Sequence, residues 1–96
     1  MSYNDELYEW DSAKEEANIR KQGIDFRTAS AVFDDDLRIE WYDTSHSSDI
    51  EDRYNTIGMV KDVLFVVYTE RHDKIRIISA RIATNRERKL YYVSHI

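Results

Sequence analysis

The sequence predicts an α+β domain, an antiparallel sheet with helices packed on one face, in the order β-α-α-β-β-β-β-α. Three observations lead there. The first third holds two aspartate-capped segments, the longer rich in helix formers. After residue 36 the apolar period changes to two. The last four strands are joined by links too short for crossovers, which makes them an antiparallel meander. Ninety-six residues suffice for one core and not for two, so 1–96 reads as a single domain.

Leu7 to Trp10 reads as a short first strand. Asp11 is an N-cap whose carboxylate can accept from free backbone amides, and "SAKEEANIRKQ" after it is a helix ended by Gly23 at C′. Asp25 caps a second short helix, with Phe26, Ala29 and Phe33 at i, i+3 and i+7. The acids at 34–36 end it by opposing the helix dipole. Leu37, Ile39 and Trp41 then alternate with Arg38, Glu40 and Tyr42 as a half-buried strand. Residues 43–52 are a polar loop, and Arg53 to Met59 a strand in which Gly58 marks a bulge or a close approach. Val63 to Thr69, apolar on both faces, is the central strand. Residues 71–73 make a tight connection to the strand "KIRIISAR". Thr84 and Glu87 form a capping box that starts a helix reaching about Tyr92. Core packing is expected for Trp10 and Trp41.

The chain has no cysteine, hence no disulfide and no thiolate metal site, as suits a reducing compartment. Its N-terminus lacks the cationic start and apolar stretch of a signal peptide, and the run "VLFVVY" is far too short to span a bilayer. The expectation is a cytoplasmic protein that does not enter membranes. Net charge is −5, yet from Arg71 onward seven cations face only Asp73 and Glu87. That end is +5 and residues 1–70 carry −10. Such asymmetry fits a basic surface facing RNA or an acidic partner.

The meander gathers these cations. Arg71 falls at a hairpin tip, and Arg76 projects from the last strand. Arg81 lies on the opposite face by strict alternation, unless a bulge near Ser79 returns it to the same side. Arg53 starts a neighbouring strand. Guanidinium forks match phosphate oxygens, and they equally form surface ion pairs with carboxylates. His46, with Glu51 and Arg53 nearby, has residue types suited to proton transfer, or is simply a solvated loop histidine. The three histidines have no metal-ligand spacing, neither glycine belongs to a phosphate loop, and no cofactor is indicated.

Longer stretches resemble a known family. "EWD" (9–11), "NIRKQGIDF" (18–26), "AVFDD" (31–35), "HS…EDRY…IG" (46–58) and "VVYTERHDKIRIISARIATNRERKLY" (66–91) are similar to the BrnT toxins. Ser12 and Gln22 stand where proline and histidine are common in that family. The resemblance implies a type II toxin–antitoxin toxin with a fold similar to the RelE ribonucleases, cutting RNA and arresting translation. It also implies metal-independent attack by the ribose 2′-OH, and neutralisation by a cognate DNA-binding antitoxin. On that reading Arg81 and Arg71 serve the scissile phosphate, and His46 or Glu51 moves protons. Arg53 and Arg76, with Lys74 and Arg88, bind RNA. The alternative is a non-catalytic interaction module whose basic C-terminal face binds an acidic protein.

Overall fold

Both predicted aspartate caps form. Asp11 accepts from the amides of Ala13 and Lys14 to start α1 (Ser12–Gln22), and Gly23 closes it in the left-handed region at φ 72°. Asp25 accepts from Thr28 to start α2 (Phe26–Ser30). The expected run to Phe33 is not one helix, because the chain tightens into a 3-10 turn over Ala31–Asp34. The tighter turn fully buries Val32 and sets the Phe33 ring edge-on to Tyr68 at 5.0 Å. These details come from a computed structural model that describes residues 2–95.

The strands are β1 (Ser2–Asn4), β2 (Tyr8–Asp11), β3 (Ile39–Tyr42), β4 (Arg53–Met59), β5 (Val63–Arg71) and β6 (Lys74–Ile82). They form one sheet in the order β1-β2-β6-β5-β4-β3. The meander β3 to β6 is antiparallel as expected, with β5 inside it. The sheet as a whole is mixed, because β2 runs parallel to β6. β2 occupies the outer edge of β6, whose backbone groups would otherwise lack partners. The added β1, a short polar strand with no periodic signal, pairs antiparallel with β2. Leu37, expected in a strand, precedes β3 and is exposed. The β5–β6 turn is His72-Asp73, both with positive φ (56° and 59°), as a two-residue hairpin of matching twist requires.

The helices do not share one face. α1 and α2 cover the side bearing Leu64, Val66, Ile77, Ala80 and the buried Trp10. The C-terminal helix α3 (Asn85–Val93) starts on the predicted Thr84–Glu87 capping box. It packs through Tyr91 on Ile57, Val63 and Ala83, which alternation puts on the opposite side. It can reach that side because Ala83 leaves β6 buried and pointing there. Trp41, expected in the core, is on this second side and 38% exposed. Gly58 is a close approach and not a bulge: a Cβ there would lie 3.0 Å from Val32 Cβ, and its strand register is unbroken.

Among the described residues, the one shift of strand register falls where it decides the site. Val67 pairs with Ser79 but Tyr68 pairs with Ile77, so Ile78 is an extra residue in β6. Without it, Arg76 and Arg81 would point to opposite faces. With it, their partners are Thr69 and Phe65, four residues apart on β5, and both arginines share the second face.

Candidate active site

Three cross-strand rows cross that face. One runs Arg53, Thr69, Arg76, Glu9, the next Trp41, Asn55, Val67, Ser79, and the third Ile39, Ile57, Phe65, Arg81. The 43–52 loop rises at one side and α3 at another. Between them lies a cleft of about 360 Å³ lined by Asp43, His46, Arg53, Asn55, Phe65, Ser79 and Arg81 among others.

The loop is tied to the start of β4. The amide of Asp43 donates to the carbonyl of Arg53 at 2.8 Å. The amide of Arg53 donates to Ser47 Oγ at 2.8 Å. Within the loop, Asp43 Oδ1 accepts from the amides of Ser45 and His46 at 3.1 and 3.2 Å. Its Oδ2 faces His46 Nδ1 at 2.8 Å. Burial pushes the Asp43 carboxyl up, but the His46 contact and the two amides outweigh it and hold it below the ordinary value. An ionised carboxylate only accepts, so Nδ1 of His46 is the donor to it, and in the neutral ring Nε2 is the nitrogen with the free lone pair. The imidazole itself is 68% exposed at the cleft wall.

Arg53 Nε donates to Glu51 at 2.7 Å, and that bond is the main reason Glu51 sits below its ordinary pKa. Across the cleft, Arg81 presents two nitrogens to the two oxygens of Glu87 at 2.7 and 2.9 Å. The same guanidinium lies 4.2 Å from the centre of the Phe65 ring. The fork bond to Glu87 raises Arg81 further above its already high pKa and lowers Glu87.

Of the residues singled out by sequence, His46, Arg53 and Arg81 meet in the cleft. Glu51 and Arg71 line an adjoining hollow of about 670 Å³ with Thr69 and Asp52. Arg76 shares the face but is bonded to the nearly buried Glu9 at 2.7 Å, where His72 also makes contact. Lys74 donates to Asn4 Oδ1 at the sheet edge. Arg88, on α3, pairs with Asp62 at 2.7 Å and lies outside the cleft. The ion-pair reading of the arginines therefore holds for several of them, including two that line the cleft. Sequence reasoning missed Asp43, Asn55, Phe65 and Ser79, and read Glu87 only as a cap. Alternation from Arg53 would have put Asn55 on its face; nothing local marks Asp43 as the partner of His46. Among the described residues no group of three or more His, Asp or Glu is arranged to hold a metal ion. No helix among them is long and apolar enough to cross a membrane.

A family model described as the ribonuclease toxin, BrnT, of type II toxin–antitoxin systems matches residues 10–87. No curated protein matches the chain significantly. Among solved structures, the chain is similar to the crystal structure of the Brucella abortus ribonuclease toxin, BrnT. The identity is 22% and the TM-score 0.62, over 79% of this chain and 94% of that one, a likeness of fold.

Proposed function

Because the chain belongs to the family of BrnT ribonuclease toxins of type II toxin–antitoxin systems, we propose that it cuts RNA in the cleft between Arg53 and Arg81. The observation that supports this most is the convergence of both guanidinium groups with His46, whose tautomer Asp43 sets. The ribose 2′-oxygen attacks the adjacent phosphorus, and its proton passes to Nε2 of His46. The P–O5′ bond breaks, and the leaving oxygen takes a proton from the imidazolium. The products are a 2′,3′-cyclic phosphate and a 5′-hydroxyl. Arg81, backed by Glu87 and Phe65, stabilises the charge on the phosphoryl oxygens, with Arg53 opposite. Glu51 orients Arg53.

Arg71 is assigned to the scissile phosphate or its immediate neighbour, and Lys74, Arg76 and Arg88 to attraction along the strand. The chemistry needs no metal. The fold kinship with RelE ribonucleases, arrest of translation and a cytoplasmic location belong to the same reading. A cognate DNA-binding antitoxin would neutralise the toxin by covering the basic face, since both ligands exploit one field. Simultaneous, non-competing binding of RNA and antitoxin would rule out that mode of inhibition.

The test is induced expression in bacteria lacking the antitoxin, following growth and RNA integrity, with end-group analysis of RNA cut by the purified protein. Growth arrest and cyclic phosphate ends are expected. Unaffected growth with intact RNA, despite soluble protein, would overturn the reading.

A further inference from the structure

The fold leaves Trp41 38% exposed, and its indole is not alone. Leu90 and Val93, each about half exposed on α3, line an open hollow of about 500 Å³ with it, beside Arg86, Lys89 and Glu87. Residues 86, 90 and 93 follow the i, i+4, i+7 spacing of one helical stripe, so α3 turns a single flank towards the hollow. Leaving three large apolar side chains together in water forgoes the gain of burying them, and such a group marks a surface that something covers.

The surroundings say what. α3 crosses the second face from the end of β6, where Glu87 meets Arg81, to the edge strand β3, where Leu90 and Val93 stand by Trp41. The hollow therefore adjoins the cleft through two contacts. Glu87 lines the one and grips Arg81 in the other, and Trp41 meets the cleft's Phe65 edge-on with ring centres 5.9 Å apart. The ion pairs of α3 are Arg81–Glu87 and Arg88–Asp62, which leaves Arg86 and Lys89, both exposed, without one among the described residues. An aromatic ring, apolar walls and two unpaired cations beside the arginines of the cleft are the parts of a single-strand nucleic-acid site. An apolar protein segment would use the walls but not the cations.

We propose that the hollow is a base-stacking subsite, in which a nucleobase next to the scissile phosphate lies on the indole of Trp41 and against Leu90 and Val93. Arg86 and Lys89 hold the backbone of that nucleotide. Every base has a π-face, so the subsite grips any of the four and positions the strand without reading its sequence. The subsite rests on the ribonuclease reading for its substrate class, so its test measures binding of RNA that cannot be cut.

The probes are two fluorescein-labelled 2′-O-methyl RNA hexamers, blocked at the attacking oxygen. One has a base at every position and the other is abasic throughout, so both carry the same charge. In fluorescence anisotropy Trp41→Ala should cost about tenfold or more on the first and less than about twofold on the second, with Trp41→Phe recovering part. That loss should keep its size as salt rises, whereas the loss in Arg86→Ala should shrink. Trp10 is buried, so acrylamide quenches chiefly Trp41, and the base-bearing hexamer alone should shield that emission. Should Trp41→Ala melt early, Trp41→Leu, which keeps an apolar contact with Phe65 but no flat face, reads the same comparison. Equal losses on the two hexamers would overturn the proposal, as would native protein that binds neither. Native affinity in Trp41→Ala, with the Trp41 emission unshielded, would also overturn it and leave the hollow to an apolar segment of a protein partner. If Trp41 couples to the bases but no RNA is cut, the ribonuclease reading fails and the stacking subsite stands. Cleavage without that coupling removes the subsite alone.

Discussion

Arg81 and Glu87 form a two-pronged ion pair, 2.7 and 2.9 Å, that joins the end of β6 to the first turn of α3. The same glutamate accepts from the amide of Thr84 at 2.8 Å to complete the capping box. One carboxylate therefore starts a helix and fixes the direction of a cleft-lining arginine. Fixed direction is what electrostatic stabilisation of a transition state needs.

Arg81→Ala is expected to slow single-turnover cleavage by roughly a hundredfold or more, the effect of losing one preorganised stabiliser. Arg81→Lys should recover part of it, because an ammonium keeps charge but not the fork. Lys89→Ala, on the outside of α3, should only weaken RNA binding by a factor that shrinks as salt rises. Rates at saturating RNA separate these effects, and circular dichroism melts check that α3 remains docked. Equal, salt-sensitive losses in the alanine variants would reduce the arginines to diffuse attraction.

His46→Ala should lower the cleavage rate by about 10²–10⁴, the usual reach of a positioned acid–base group. Asp43→Asn should cost less, since it removes the charge that sets the tautomer but leaves the ring in place. A His46→Ala rate within about twofold of the native enzyme would exclude it as the proton carrier.

Cleavage should persist in EDTA. Loss of activity with chelator, restored by one divalent ion, would replace the proposed phosphate chemistry with a metal-assisted one.

Stability should fall in acid. Glu87 is held below the ordinary 4.5 chiefly by Arg81, against the effect of burial. Asp43 and Glu9 are also lowered, their hydrogen-bond partners overcoming burial. A depressed carboxylate contributes stability that is whole above its unfolded pKa and is lost as pH falls through the folded one. Melting temperature should therefore decline below about pH 4.5, and less steeply in Glu87→Gln. An unchanged slope in that variant would mean the pair adds nothing to folding.

Gly58→Ala should destabilise the fold by about 1–3 kcal/mol, read from urea unfolding. The new Cβ would meet Val32 Cβ at 3.0 Å and its carbonyl oxygen at 3.2 Å, and neither belongs to a flexible chain end. A neutral result would show that the 3-10 turn gives way easily.

Much of the architecture is local and so was legible in the sequence. Asp11, Asp25, Gly23 and the Thr84–Glu87 pair act through hydrogen bonds spanning a few residues, and the alternation of Ile39 and Trp41 with Glu40 and Tyr42 in β3 needs only neighbours. The motifs from Glu9 to Tyr91 likewise carried the family. What tertiary structure decided is everything that depends on which edges and faces meet. The parallel seat of β2 on β6 answers to an open edge more than sixty residues away. α3 takes the second face because Ala83 happens to point there. Above all, one extra residue at Ile78 reverses every later side chain of β6, bringing Arg81 beside Arg53 and His46. Alternation carries no warning of such a bulge, because the extra residue is accommodated by pairing across strands and not by any preference of its own sequence.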